Sequence, residues 1–198
     1  MAGIPTKYAF LNTVGVHPPT ILHALALLGT NELPGSASNA VIDAWADEIN
    51  EAHPRTVQGF SDDSVPWCGL FAAIVVHRAG EKLVTNPLWA RNWAQFGGSV
   101  AGNIGNESNP TLRFAEGRAA SLGDVLVYVR QGGGHVGFYV AEDDAHYHTL
   151  GGNQSDSVTI TRVAKARCIA VRRVLQASPP SCKPYFVSAS GTVSTNEA

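Results

Sequence analysis

Charge is scarce in this chain: Asp, Glu, Lys and Arg make up 15% of 198 residues, and the formal net charge is −2. No basic run or stripe exists to displace counterions from a phosphate backbone, which argues against a nucleic-acid binder. Long apolar runs are also missing. The most apolar early stretch, Ile21 to Leu28, is far shorter than the roughly 18 residues needed to span a bilayer, so no membrane insertion is expected. The opening MAGIPTKYAF has one lysine and no apolar segment ending in small residues, so no secretory signal is expected there. Cysteine is sparse and odd in number: Cys68, Cys168 and Cys182 cannot all pair within the chain, which keeps one thiol available for chemistry.

What is present is a globular composition, 44% hydrophobic with 20 glycines, of a size for one well-cored domain. Pro18-Pro19-Thr20 opens a helical run that Gly29 closes. Asn39 caps a second helix with Val41, Ile42, Trp45 and Ile49 on one face, and Glu51 to Ser64 reads as loop. A third helix runs from Trp67-Cys68 to about Ala79, with Gly80 as its stop, and Asn86-Pro87 opens a fourth carrying Trp89 and Trp93. Gly97 to Arg118 reads as irregular loop. Five strand-like runs follow: VLVYV after Asp124, HVGFYV from His135, Tyr147 to Leu150, VTITRV and IAVRRV. Helices first and an antiparallel sheet second is an α+β order, read as one domain over 1–177 with an extended tail over 178–198.

Two places carry chemistry. Cys68 sits in the first turn of the third helix, where unpaired N–H groups and the positive dipole end favour a thiolate, the species that attacks a carbonyl carbon. The same N–H groups can hold an oxyanion, and Gly69 leaves room for a substrate to approach the backbone. Trp67 can wall such a cleft, although core packing suits it equally. Gly132-Gly133-Gly134 then delivers His135 at the start of a strand, a position from which a general base can reach a thiol. A depressed thiol pKa is the expectation for such a pair.

Four segments in order carry a resemblance: Val65 to Phe71 around Cys68, Gly123 to Val127, Gly134 to Val140 around His135, and Leu150 to Val158. Over about Pro18 to Arg173 the chain resembles the peptidoglycan hydrolases of the NlpC and CHAP type, a circularly rearranged papain-like group, and in particular a phage-associated branch. The resemblance implies a papain-like α+β fold with N-terminal helices on a small antiparallel sheet. It implies a cysteine peptidase or amidase that cuts amide bonds of the cell-wall stem peptide, as an endopeptidase or N-acetylmuramoyl-L-alanine amidase. Cys68 carries over as nucleophile and His135 as base. Asn153 of the LGGNQ segment matches the residue that orients the base, with His148 as alternative third member and Gln154 a substrate contact beside Trp67 and Gly69.

Such chemistry calls for no cofactor and no metal. The implied partner is bacterial peptidoglycan, reached in the periplasm or cell wall by non-classical delivery through a holin, a virion or a secretion apparatus. The competing expectations are a zinc amidase assembled from His135, His146, His148 and Cys168, a catalytically inactive wall-binding or phage structural module, and an acyltransferase on the same scaffold.

Overall fold

The computed structural model describes residues 3–35, 37–106, 108–174 and 184–194. Cys182 and the start of the expected C-terminal tail lie outside them. Three α-helices come first: α1 (Pro19–Ala26), α2 (Ala40–Ala52) and α3 (Cys68–Arg78). Seven strands follow: β1 (Gly98–Asn103), β2 (Leu112–Phe114), β3 (Val125–Arg130), β4 (Gly133–Glu142), β5 (His146–Gly151), β6 (Thr159–Ala164) and β7 (Cys168–Arg173). They form one antiparallel sheet in the order β2-β1-β7-β3-β4-β5-β6. The fold is mixed α+β with an open sheet. No helix among the described residues is long and apolar enough to cross a membrane.

The helices start where local chemistry tells them to. Proline occupies the first turn of α1, where its missing N–H costs nothing. The Asn39 side chain accepts the Val41 N–H at 2.8 Å and caps α2. α3 is a different kind of helix. Every residue from Cys68 through Val76 is buried, so it is apolar all round and runs through the interior. Phe71 meets Phe138 of β4 edge-on at 6.0 Å, which locks α3 to the middle of the sheet.

Strand alternation divides the sheet between two cores. Val125, Val127, Val136, Phe138, Val140 and Leu150 join α1, α2 and α3 in the larger one. Leu126, Tyr128, Tyr139, Tyr147, Val163 and Cys168 form the smaller one. With both faces covered, β3 and β4 read as continuous apolar runs rather than alternating ones.

Two sequence expectations need correction. The stretch from Gly97 to Arg118, expected as loop, contains β1 and β2. Its Gly, Ser and Asn content hides a strand that is made by pairing with β7, with only Val100 and Ala101 buried on β1. The expected fourth helix is a short 3-10 turn, Ala90–Gln95. There the Trp93 indole donates to the Pro87 carbonyl at 2.8 Å, and the Asn92 amide donates to the carbonyls of Thr85 and Asn86. These local bonds hold a tight turn instead of an α-helix.

Residues 184–194 lie against the sheet and the N-terminal segment. Phe186 bridges Glu142, Val193 bridges Arg162, Tyr185 stacks on Phe10 at 4.7 Å, and the Lys7 ammonium donates to the Ser190 carbonyl.

Candidate active site

Cys68 is the first residue of α3 and is 3% exposed. Burial pushes its thiol pKa up, against the opposing pull of the N–H groups of Val136, Gly69 and Cys68 itself and of the Arg130 charge. The expected depressed thiol pKa is therefore not what this closed arrangement gives. A helix mouth favours a thiolate, but removing water from the sulfur outweighs it here. The influence of the Val136 N–H shows where the sulfur lies. Strand N–H groups point within the sheet plane, and β5 does not pair with β4 until Phe138. The thiol thus sits at the β4 edge beside the His135–Val136 peptide.

His135 is fully buried. It pairs with Tyr128 across β3 and β4, and the two rings stack with centroids 6.1 Å apart. Along β4 it lies on the alternate face from Val136 and Phe138, which pack towards α3. Sulfur and imidazole therefore flank the same peptide, one at its edge and one on the face turned from α3.

The His135 Nε2 is 3.1 Å from the Gln154 Oε1. Gln154 is fully buried, and its orientation is over-determined. Its Nε2 donates to the carbonyls of Thr149, Gly151 and Thr159 at 3.2, 3.2 and 2.7 Å, while its Oε1 accepts the Thr161 hydroxyl at 2.9 Å. An amide oxygen can only accept, so the proton of the Gln154–His135 bond belongs to the imidazole Nε2. In the neutral ring the basic lone pair is then on Nδ1.

This corrects the third-member assignment. Asn153, expected to hold the base, does not take that place: its Oδ1 is buried with no hydrogen-bond partner. Its backbone is left-handed, φ 54°, a conformation that asparagine tolerates better than most residues. That turn carries Gln154 inward, and Gln154, expected as a substrate contact, is the residue bonded to His135. The alternative third member, His148, is also elsewhere. Its Nδ1 is 2.8 Å from the Tyr8 hydroxyl and its Nε2 is 2.9 Å from Asp143, so both nitrogens are committed.

The Asp143 cluster is a structural knot. Hydrogen bonds from Arg162, His148, the Ala145 N–H and His146 outweigh burial and hold its carboxyl well below the usual range. Burial lowers the His148 pKa.

Trp67 and Gly69, expected beside a substrate, are both buried. The Trp67 indole donates to Glu32 at 3.1 Å and meets Trp45 edge-on, which makes it core. A Cβ on Gly69 would lie 2.4 Å from the Pro87 carbonyl oxygen and 2.5 Å from that of Leu88. Its smallness admits the chain's own backbone. Likewise a Cβ on Gly151 would come within 3.0 Å of both the His135 Nε2 and the Gln154 amide carbon.

Asp124 accepts two bonds from Arg173, at 2.6 and 2.7 Å, and ties β3 to β7. The Cys168 thiol lies in the smaller core, and burial pushes it up to about 12. Among the described residues no group of three or more His, Cys, Asp and Glu side chains is arranged to hold a metal ion. His146 and His148, two members of the weighed zinc set, both bond Asp143.

Comparisons with family models, curated proteins and solved structures return no match for this chain.

Proposed function

We propose that this protein is a cysteine hydrolase with a papain-like fold that cleaves an amide bond in the peptide part of bacterial peptidoglycan. The carrying observation is the Cys68 thiol at the mouth of α3, beside the peptide that joins His135 to Val136, with the His135 tautomer set by Gln154. The direction towards peptidoglycan comes from the four segments that resemble NlpC- and CHAP-type enzymes.

In the proposed reaction the His135 Nδ1 takes the thiol proton as the Cys68 sulfur bonds to the carbonyl carbon. The carbonyl oxygen gains charge and is held by N–H groups at the start of α3. His135 returns the proton to the leaving nitrogen, the C–N bond breaks, and a thioester remains on Cys68. A water molecule then attacks the thioester while His135 takes its proton. The acid leaves, and the proton returns to sulfur. Gln154 keeps the ring in one tautomer throughout and stabilises the imidazolium that forms. Delivery to the wall would rely on a holin, a virion or a secretion machine.

One observation favours a second reading, an inert wall-binding module: Cys68 and His135 are both buried, which suits a structural thiol equally well. Mass spectrometry of muropeptides incubated with the protein separates the two. The hydrolase reading expects new peptide termini from wild-type protein and none from Cys68→Ala. Absence of products from both, with wall binding intact, would overturn it.

A further inference from the structure

Two histidines carried by different helices meet at the protein surface. His53 is the residue that closes α2, where its backbone N–H donates to the Ile49 carbonyl at 2.8 Å. His77 stands in the last turn of α3, at the opposite end from Cys68, a rise of about 14 Å along the helix axis. The His53 Nε2 and the His77 Nδ1 are 3.2 Å apart, and the two rings are perpendicular with centroids 5.2 Å apart. His53 is exposed and the His77 side chain is 25% exposed, so water and small solutes reach both rings. A hydrogen bond between two neutral imidazoles in that setting competes with water and adds little stability.

The surroundings decide which nitrogens are available. Arg78, next to His77, donates to both carboxylate oxygens of Glu48 on α2, at 2.9 and 2.6 Å. That pair pins the last turn of α3 to α2 and holds Glu48 in one orientation. The Glu48 Oε1 also lies 3.9 Å from the His77 Nε2, too far for a hydrogen bond but close enough for its charge to favour a proton on that nitrogen. A neutral His77 then carries its lone pair on Nδ1, the nitrogen beside His53. A carboxylate behind one imidazole nitrogen, with the other left basic, is the arrangement that orients metal-ligating histidines. The spacing agrees. Two nitrogens on one zinc ion, each at about 2.0–2.1 Å and near the tetrahedral angle, lie about 3.3–3.4 Å apart.

We propose that His53 and His77 form a surface site for a divalent transition metal, Zn²⁺ in the first instance, with water in the remaining positions. Among the described residues no third His, Cys, Asp or Glu is grouped with them as a ligand, so the site is exchangeable and weaker than a four-ligand structural zinc centre. When the ion binds, the proton on the line between the two nitrogens leaves it. His53 then holds its one proton on Nδ1, and both rings stay neutral while each gives a lone pair to the metal. Imidazole ligands suit zinc, copper and nickel rather than the oxygen-seeking magnesium and calcium. The bound ion would tie the end of α2 to the end of α3, alongside the Glu48–Arg78 pair. This site is independent of the hydrolase reading.

Calorimetric titration of the full-length protein with zinc chloride at neutral pH tests this, together with nitrogen-15 NMR of the imidazole rings. One ion per chain should bind saturably, and zinc should shift the ring nitrogens of His53 and His77 ahead of those of the other five histidines. His53→Gln and His77→Gln should each weaken binding by about tenfold or more. Zinc at a concentration that saturates the wild-type protein should raise its chemical denaturation midpoint and move that of either variant far less. Magnesium chloride at the same concentration should leave all three midpoints where they are. No saturable zinc binding, or saturable binding that both variants keep, would overturn the proposal. So would ring shifts centred on other histidines, a readout taken on wild-type protein that no folding defect in a variant can imitate. Binding abolished by thiol alkylation and retained in both histidine variants would place the ion on cysteine instead and equally end the proposal.

Discussion

At Gln154 a single side chain settles the chemistry of its neighbour. Three backbone carbonyls take its amide hydrogens, so its oxygen must face His135 and the ring must donate from Nε2. Asn153 next door contributes a backbone conformation rather than a side-chain bond. Two substitutions separate these roles. Gln154→Ala should lower kcat for the proposed hydrolysis by about 10²-fold, the lower end of what positioned acid–base groups contribute, and should shift its pH profile. Asn153→Gly, which relieves a left-handed residue, should leave kcat within about twofold. Steady-state kinetics over pH on both variants checks this. The reverse pattern would restore Asn153 as the orienting residue.

At the level of elements, α3 is held by contacts that tolerate little added bulk. A methyl on Gly69 would collide with two carbonyl oxygens of the Pro87–Leu88 turn, which are backbone and cannot rotate away. Gly69→Ala should destabilise the fold by about 1–3 kcal/mol in chemical denaturation. An unchanged midpoint would show that the turn gives way.

The Asp143 knot joins β5, β6 and the N-terminal turn, and it makes a pH prediction. The folded pKa values of Asp143 and His148 are both lowered. The unfolded chain therefore binds protons more readily at both sites, and the stability they contribute is lost as pH falls. The His148 share should be complete above its ordinary value of 6.5 and fade below it, while the Asp143 share should be lost only below the ordinary carboxylate value of 3.8. Denaturation midpoints should thus decline from pH 7.5 to 5.5, and His148→Gln should flatten that interval. A wild-type stability that stays level to pH 5 would contradict the assignment.

Across the whole molecule, the order of helices followed by an antiparallel sheet was legible because burial writes itself into periodicity. The Asn39 cap, the apolar run after Cys68 and the β-branched runs of β3 and β4 each carry a local signal that tertiary structure leaves intact. β1 carried none, since its strand character is imposed by β7 and its own residues favour turns. The closed state of the site was equally hidden. Sequence places Cys68 at a helix mouth, which lowers a thiol pKa, but only the fold shows how completely water is excluded. That Gln154 rather than Asn153 turns inward follows from a turn with left-handed backbone at Asn153, Ser155 and Asp156, and composition offers no sign of which neighbour points inward.

The pairing of Cys68 with His135 is tested most directly by the rate of Cys68 alkylation with iodoacetamide against pH, followed by peptide mass mapping so that the other thiols do not interfere. If the His135 Nδ1 is the acceptor of the thiol proton, the wild-type rate should exceed that of His135→Gln by about tenfold or more near neutral pH, and the two curves should converge at high pH, where hydroxide removes the proton. Superimposable curves over the whole range would mean that sulfur and imidazole do not share a proton, and the account would fail.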